Sequence, residues 1–173
     1  MFSLKSGAKI IHITPPIFDE RHSKAPGYEN VLAKYSDWLM EQRPGRDWEV
    51  IDIHKPMWSF LQKKINDGDS TFALAKDGVH PAEQGHWLMA QPVLTYLGFR
   101  NCLKYESIDE AYKDQKKSAD IIRLIRQRQL TNRDAWLRET KHLRPGLAEG
   151  LDLKSARDSV LKINDALNKI NIQ

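Results

Sequence analysis

AKIIHITPP, residues 8–16, sets the class of fold. Its β-branched run closes on two prolines, the pattern of a short buried strand over 8–14 that stops where the ladder donors stop. A helical stretch follows over roughly 28–42, with Val31, Leu32, Tyr35, Trp38 and Leu39 at helical spacing and Pro44-Gly45 as its stop. WEVIDIH, residues 48–54, repeats the strand pattern, and about 56–66 repeats the helix. Pro81 to Leu97 reads as a third helix, stopped by Gly98. Strands alternating with helices of this length predict βαβ units and a parallel sheet, hence an α/β protein. Two strands alone make a poor parallel sheet, because such sheets have helices on both faces and normally more strands.

Around this frame, 173 residues suffice for one ordinary domain with an appendage. With 40% hydrophobic and 29% charged residues, the composition is that of a folded soluble chain, neither disordered nor membrane-embedded. No apolar run approaches the roughly 18 residues that span a bilayer, and MFSLKSGAKIIHIT lacks the pattern of a signal peptide. Cys102 is the only cysteine, which excludes an internal disulfide and argues for a buried structural thiol rather than a cysteine zinc site.

From about 104 onward strand signals vanish. Ile108, Tyr112, Ile122, Ile125, Leu130, Trp136 and Leu137 predict one long or broken helix up to Pro145-Gly146. In the last helix Leu153, Ala156, Val160, Ile163, Leu167 and Ile170 form a narrow apolar seam, expected to pack on the parent domain, with a homodimer through it as the other option. The chain thus divides into 1–101 and a helical extension, 102–173. The net charge of +4 belongs to the extension: residues 1–102 carry 12 Lys+Arg against 12 Asp+Glu, and residues 103–173 carry 15 against 11. Residues 121–144 hold seven basic side chains against two acidic ones, a face able to meet phosphates or an acidic partner.

NDGDSTFALAKDGVHPAEQGH, residues 66–86, carries the chemistry. Composition alone supplies roughly half an Asp-x-x-His match, and Asp19-Glu20-Arg21-His22 is a ready decoy. What distinguishes Asp77 and His80 is Gly78, which permits a sharp turn, and Pro81, suited to a helix start, so that His80 stands exposed ahead of a helix. There the Asp77 carboxylate can accept the His80 Nδ1 proton and leave Nε2 free as a general base. Gly68-Asp69-Ser70 imitates a nucleophile motif, but it follows a helix end, not the strand-to-helix turn a nucleophile needs. His80, His86 and Asp77 do not make a metal set, since His86 falls inside the third helix and is expected to pack or hydrogen-bond beside Trp87. His12 and His54 read as strand histidines. His142 and Arg144 are candidates for the mouth of the site.

Asp77-Gly78-Val79-His80-Pro81, continuing to Gly85-His86, resembles the last conserved block of the SGNH hydrolases, the GDSL-type lipases and esterases. The order of strands and helices before it, and the tail Asp134-Ala135-Trp136-Leu137 through His142-Leu143-Arg144-Pro145-Gly146, resemble the same family with a helical extension. The resemblance implies a three-layer α/β/α sandwich of flavodoxin-like type. It implies hydrolysis of a small-molecule ester, an acylated carbohydrate among the options, with Asp77 and His80 as catalytic residues and no metal or organic cofactor. In that family the nucleophilic serine and oxyanion donors lie in blocks preceding the strand that begins here near residue 8. The chain is therefore expected to be the C-terminal portion of such an enzyme, holding the strands near 8–14 and 48–54 and the catalytic loop 67–81, with half a triad and little activity alone. No membrane association is expected, and the compartment is left open, an exported parent included. The alternative is a non-catalytic module whose basic helices bind nucleic acid or an acidic partner; Trp136, without interleaved aromatics, argues against a single-strand platform.

Overall fold

The computed structural model describes residues 7–113, 117–143, 145–146 and 149–171. It is an α/β arrangement, mostly helical, with one small parallel sheet of two strands. In chain order the elements are β1 (Ile11–Ile13), a 3-10 turn (Glu20–His22), α1 (Tyr28–Arg46), β2 (Glu49–Ile51), α2 (His54–Asn66), α3 (Glu83–Tyr96), a second 3-10 turn (Arg100–Lys104), α4 (Ile108–Tyr112), α5 (Ser118–Glu139) and α6 (Leu153–Asn171). The chain divides into two compact units, Met1–Ala111 and Tyr112–Gln173.

Both strands are shorter than their sequence patterns. β1 and β2 pair only across Ile11–Glu49, His12–Val50 and Ile13–Ile51. The reason lies at Thr14, whose N–H still donates to the Ile51 carbonyl (3.0 Å) while its buried hydroxyl accepts from the N–H groups of Ile53 (2.9 Å) and His54 (3.0 Å). Those donors would otherwise extend a ladder. Captured by a hydroxyl, and with Asp52 accepting from the Lys55 N–H (3.1 Å), they begin α2 instead. His54 is therefore the first residue of a helix and not a strand residue.

Two helix ends also move. Proline at 44 removes one donor, yet α1 runs through it to Arg46 and stops at Asp47, which adopts a left-handed conformation and donates its N–H to the Gln42 carbonyl. α3 begins at Glu83 and not at Pro81: Ala82 is its extended N-cap residue, its N–H donating to the Leu74 carbonyl (2.9 Å) and its carbonyl accepting from the His86 N–H (2.9 Å).

The core of the first unit joins α2, α3 and the loop between them: Ile17, Met57, Leu61, Leu74 and Leu88 are buried together, with Phe60, Ile65, Phe72 and Met89 packed around them. Fully burying a Leu or Met side chain contributes about 1.5–3 kcal/mol, so this cluster is what fixes the loop. The unit extends past residue 101 because α3 reaches forward. The Gln91 side chain donates to the carbonyls of Cys102 and Tyr105 (2.9 Å each), and the Trp87 indole donates to Tyr105 (3.0 Å). Cys102 is a buried free thiol, as its solitary occurrence suggested.

In the second unit α5 and α6 form an antiparallel hairpin, tied by Arg128 to Asn164 (3.1 Å) and by Arg138 to the Gly150 carbonyl (2.9 Å). The α6 seam, with Ala156, Ile163 and Leu167 buried, packs on α5 within this unit. The chain before α6 presses against α5 at Gly150, where a Cβ would meet the Asp134 backbone at 2.2 Å. Among the described residues no helix is long and apolar enough to cross a membrane.

Candidate functional site

The loop between α2 and α3 is pinned from inside and shaped from outside. Leu74 and Ala75 are buried; beyond them Gly78 turns the chain at φ +78°, its N–H donating to the Ala75 carbonyl (3.0 Å). No other residue suits this place. A Cβ on Gly78 would lie 2.5 Å from the Asp19 carbonyl oxygen and 2.8 Å from the Ser23 Cβ, and the positive φ alone disfavours an L side chain.

The turn folds Asp77 back over its own successors. One carboxylate oxygen, Oδ1, accepts from the N–H groups of Val79 (3.0 Å) and His80 (2.8 Å), and the other, Oδ2, meets His80 Nδ1 at 2.7 Å. Three donors on one carboxylate hold Asp77 well below the usual carboxylate range; the His80 N–H is the largest cause, followed by its ring and the Val79 N–H. An ionised carboxylate only accepts, so Nδ1 carries a proton, and in the neutral ring Nε2 then presents a lone pair. Among the described residues Nε2 has no hydrogen-bond partner. The side chains are 56% (Asp77) and 78% (His80) exposed. The structure thus brings Asp77 and His80 together as an oriented imidazole facing solvent.

The other sequence candidates separate from this pair. Gly68-Asp69-Ser70 follows the C-terminal end of α2, and the Asp69 carboxylate takes the Thr71 hydroxyl (3.0 Å). Among the described residues no hydroxyl hydrogen-bonds His80. His86 is exposed on α3, not packed beside Trp87, and no group of three or more His, Cys, Asp or Glu among the described residues could hold a metal ion. His142 belongs to the second unit, and Arg144 lies outside the described residues. In the basic stretch Arg123 pairs with Asp120 and Arg133 with Asp134, while Arg128 and Arg138 tie the hairpin.

Two features escaped the sequence reading. The first is the segment after β1, where the decoy Asp19 is 3% exposed and gripped by Arg21 through Nε (2.9 Å) and Nη2 (2.5 Å), while the Asp19 N–H donates to the Gly78 carbonyl (3.0 Å). The second is a buried pair, His54 Nε2 to Glu29 Oε1 at 3.0 Å, with His54 Nδ1 on the Pro15 carbonyl (3.3 Å) and Glu29 Oε2 accepting from the Phe18 N–H (2.6 Å). Both ring nitrogens of His54 face acceptors, an arrangement that favours the protonated ring. Burial pulls its pKa down, but Glu29 first, then the Pro15 carbonyl and Asp52, outweigh that and leave it raised. The pair floors a cleft of about 580 Å³ beyond the carboxyl ends of both strands, walled by Phe18, Arg21, Asn30, Lys55 and Trp58. The floor's own polar atoms are satisfied within the protein. Thr14 was visible as a strand end; its capture of two amides has no signal short of the fold.

No family model, curated protein or solved structure matches this chain.

Proposed function

We propose that this chain supplies the acid–base half of a serine-type ester hydrolase of the SGNH kind. The observation that carries the reading is the 2.7 Å bond from Asp77 to His80 Nδ1 on a glycine-kinked turn, with Nε2 open to solvent. In this mechanism His80 Nε2 removes the proton from an attacking serine hydroxyl and returns it to the departing alcohol, while Asp77 fixes the tautomer and stabilises the imidazolium. The substrate is an ester of a small alcohol, an acyl or acetyl group on a carbohydrate among the candidates. The hydroxyl and the oxyanion donors come from polypeptide other than the described residues, where they complete a three-layer α/β/α sandwich around β1 and β2. The alternative of a basic binding module has less to draw on, since four of the arginines in 121–144 are engaged within their own hairpin.

The 173-residue chain alone should then turn over p-nitrophenyl acetate little better than free imidazole, and a fluorophosphonate should leave its serines unlabelled. Stoichiometric labelling of Ser70 would relocate the nucleophile to the loop itself. In the complete hydrolase, near-normal turnover after His80→Ala would end the proposal.

A further inference from the structure

We propose that Arg21, held by Asp19, is the positioning residue for the Asp77–His80 pair; the inference rests on the acid–base reading above. The His80 ring is 78% exposed and, among the described residues, bonds only to Asp77, so its place in space is set by the backbone of 77–80. The loop that carries this backbone is held at two points by one brace, once before the turn and once within it. On one arm of the loop Arg21 donates from Nη1 to the Ser70 carbonyl (3.2 Å) and from Nη2 to the Phe72 carbonyl (2.8 Å). At the turn itself the Asp19 N–H holds the Gly78 carbonyl (3.0 Å), one residue after Asp77. Asp19 and Arg21 join these two grips into a rigid piece, because the carboxylate takes Nε, Nη2 and the Arg21 N–H together.

A planar guanidinium is the group this geometry requires. It reaches a carboxylate and two carbonyls at once from one fork, whereas an ammonium is a point charge on a flexible stem. Arg21→Lys therefore keeps the countercharge that buried Asp19 needs for folding and loses the span across Ser70 and Phe72. It isolates positioning from stability.

The test uses the 173-residue chain and reads the His80 ring directly. In ¹⁵N spectra of the imidazole, the wild type should show His80 as the Nδ1–H tautomer, and the Val79 and His80 amides should be protected from exchange. Arg21→Lys should shift His80 to the mixed tautomers of an unconstrained imidazole and speed those two amides about tenfold, with the Leu88 amide in α3 unchanged. Arg21→Ala should do the same if it folds; if it unfolds, Arg21→Lys decides. An Arg21→Lys chain with wild-type tautomer and protection overturns the inference, as does a loss of protection that spreads equally to Leu88. Asp77→Asn separates the two readings: if it releases the tautomer while Arg21→Lys does not, only the brace fails. If Asp77→Asn leaves the tautomer untouched, the acid–base pair itself fails.

Discussion

Residues 19–22 and 77–80 both read aspartate, two residues, histidine, and they lie against each other through the Asp19 N–H and the Gly78 carbonyl. In the first, His22 Nε2 stands 3.9 Å from Asp19; in the second, His80 Nδ1 is 2.7 Å from Asp77. The spacing is identical, so the difference comes from what surrounds it. Residues 20–22 form a 3-10 turn, and Asp19, almost fully buried, is saturated by Arg21 before its histidine can reach it. Around Asp77 the left-handed glycine folds two amides and a ring onto one exposed carboxylate. One aspartate is structural because an arginine claims it, and the other, which no arginine among the described residues claims, is left to its histidine.

The comparison can be broken in several ways. The largest effect follows from the proposed acid–base reading: in a hydrolase completed as proposed, Asp77→Asn should lower kcat about 10⁴-fold, whereas His22→Ala should leave kcat alone; equal losses would erase the distinction. Gly78→Ala comes next. The 2.5 Å approach to the Asp19 carbonyl and the positive φ should cost about 2–4 kcal/mol, read as a lower urea midpoint for the first unit.

Glu29→Gln sharpens the point from a third carboxylate, buried beside a histidine. The folded His54 keeps its proton to higher pH than the unfolded chain, so its contribution is complete below the ordinary value of 6.5 and is lost as pH climbs through the raised folded value. Wild-type stability should therefore fall across that alkaline flank. Glu29→Gln should lower stability at pH 6 by about 2 kcal/mol and flatten the slope; an unchanged urea-midpoint profile from pH 6 to 9 would remove His54 from the account. The smallest effect is His22→Ala on stability, expected within about 0.5 kcal/mol by the same urea titration.

Much of this was legible in the residues. The alternation around 8–16 and 48–54 announced the parallel pair, the α6 spacing announced its buried stripe, and Gly78 beside Asp77 announced the turn. The rest depends on partners far apart in sequence. Strand lengths were overestimated because the Thr14 hydroxyl, 38 residues from Asp52, redirects the amides that follow β2. The first compact unit runs on to Ala111, and within it Gln91 and Trp87 reach forward to Cys102 and Tyr105, a contact with no signal in the sequence. Asp19 looked like a chance copy of the motif, and Arg21, which decides its role, reads in sequence as one more surface cation.

The openness of the His80 ring has a consequence of its own. In bulk water the tie between the Asp77 carboxylate and the His80 ring is strongly screened, and it strengthens once water is displaced. Whatever settles over the ring, whether substrate or neighbouring polypeptide, dries it and strengthens its tie to Asp77 in the same act. On the proposed acid–base reading, arrival and activation would be a single event.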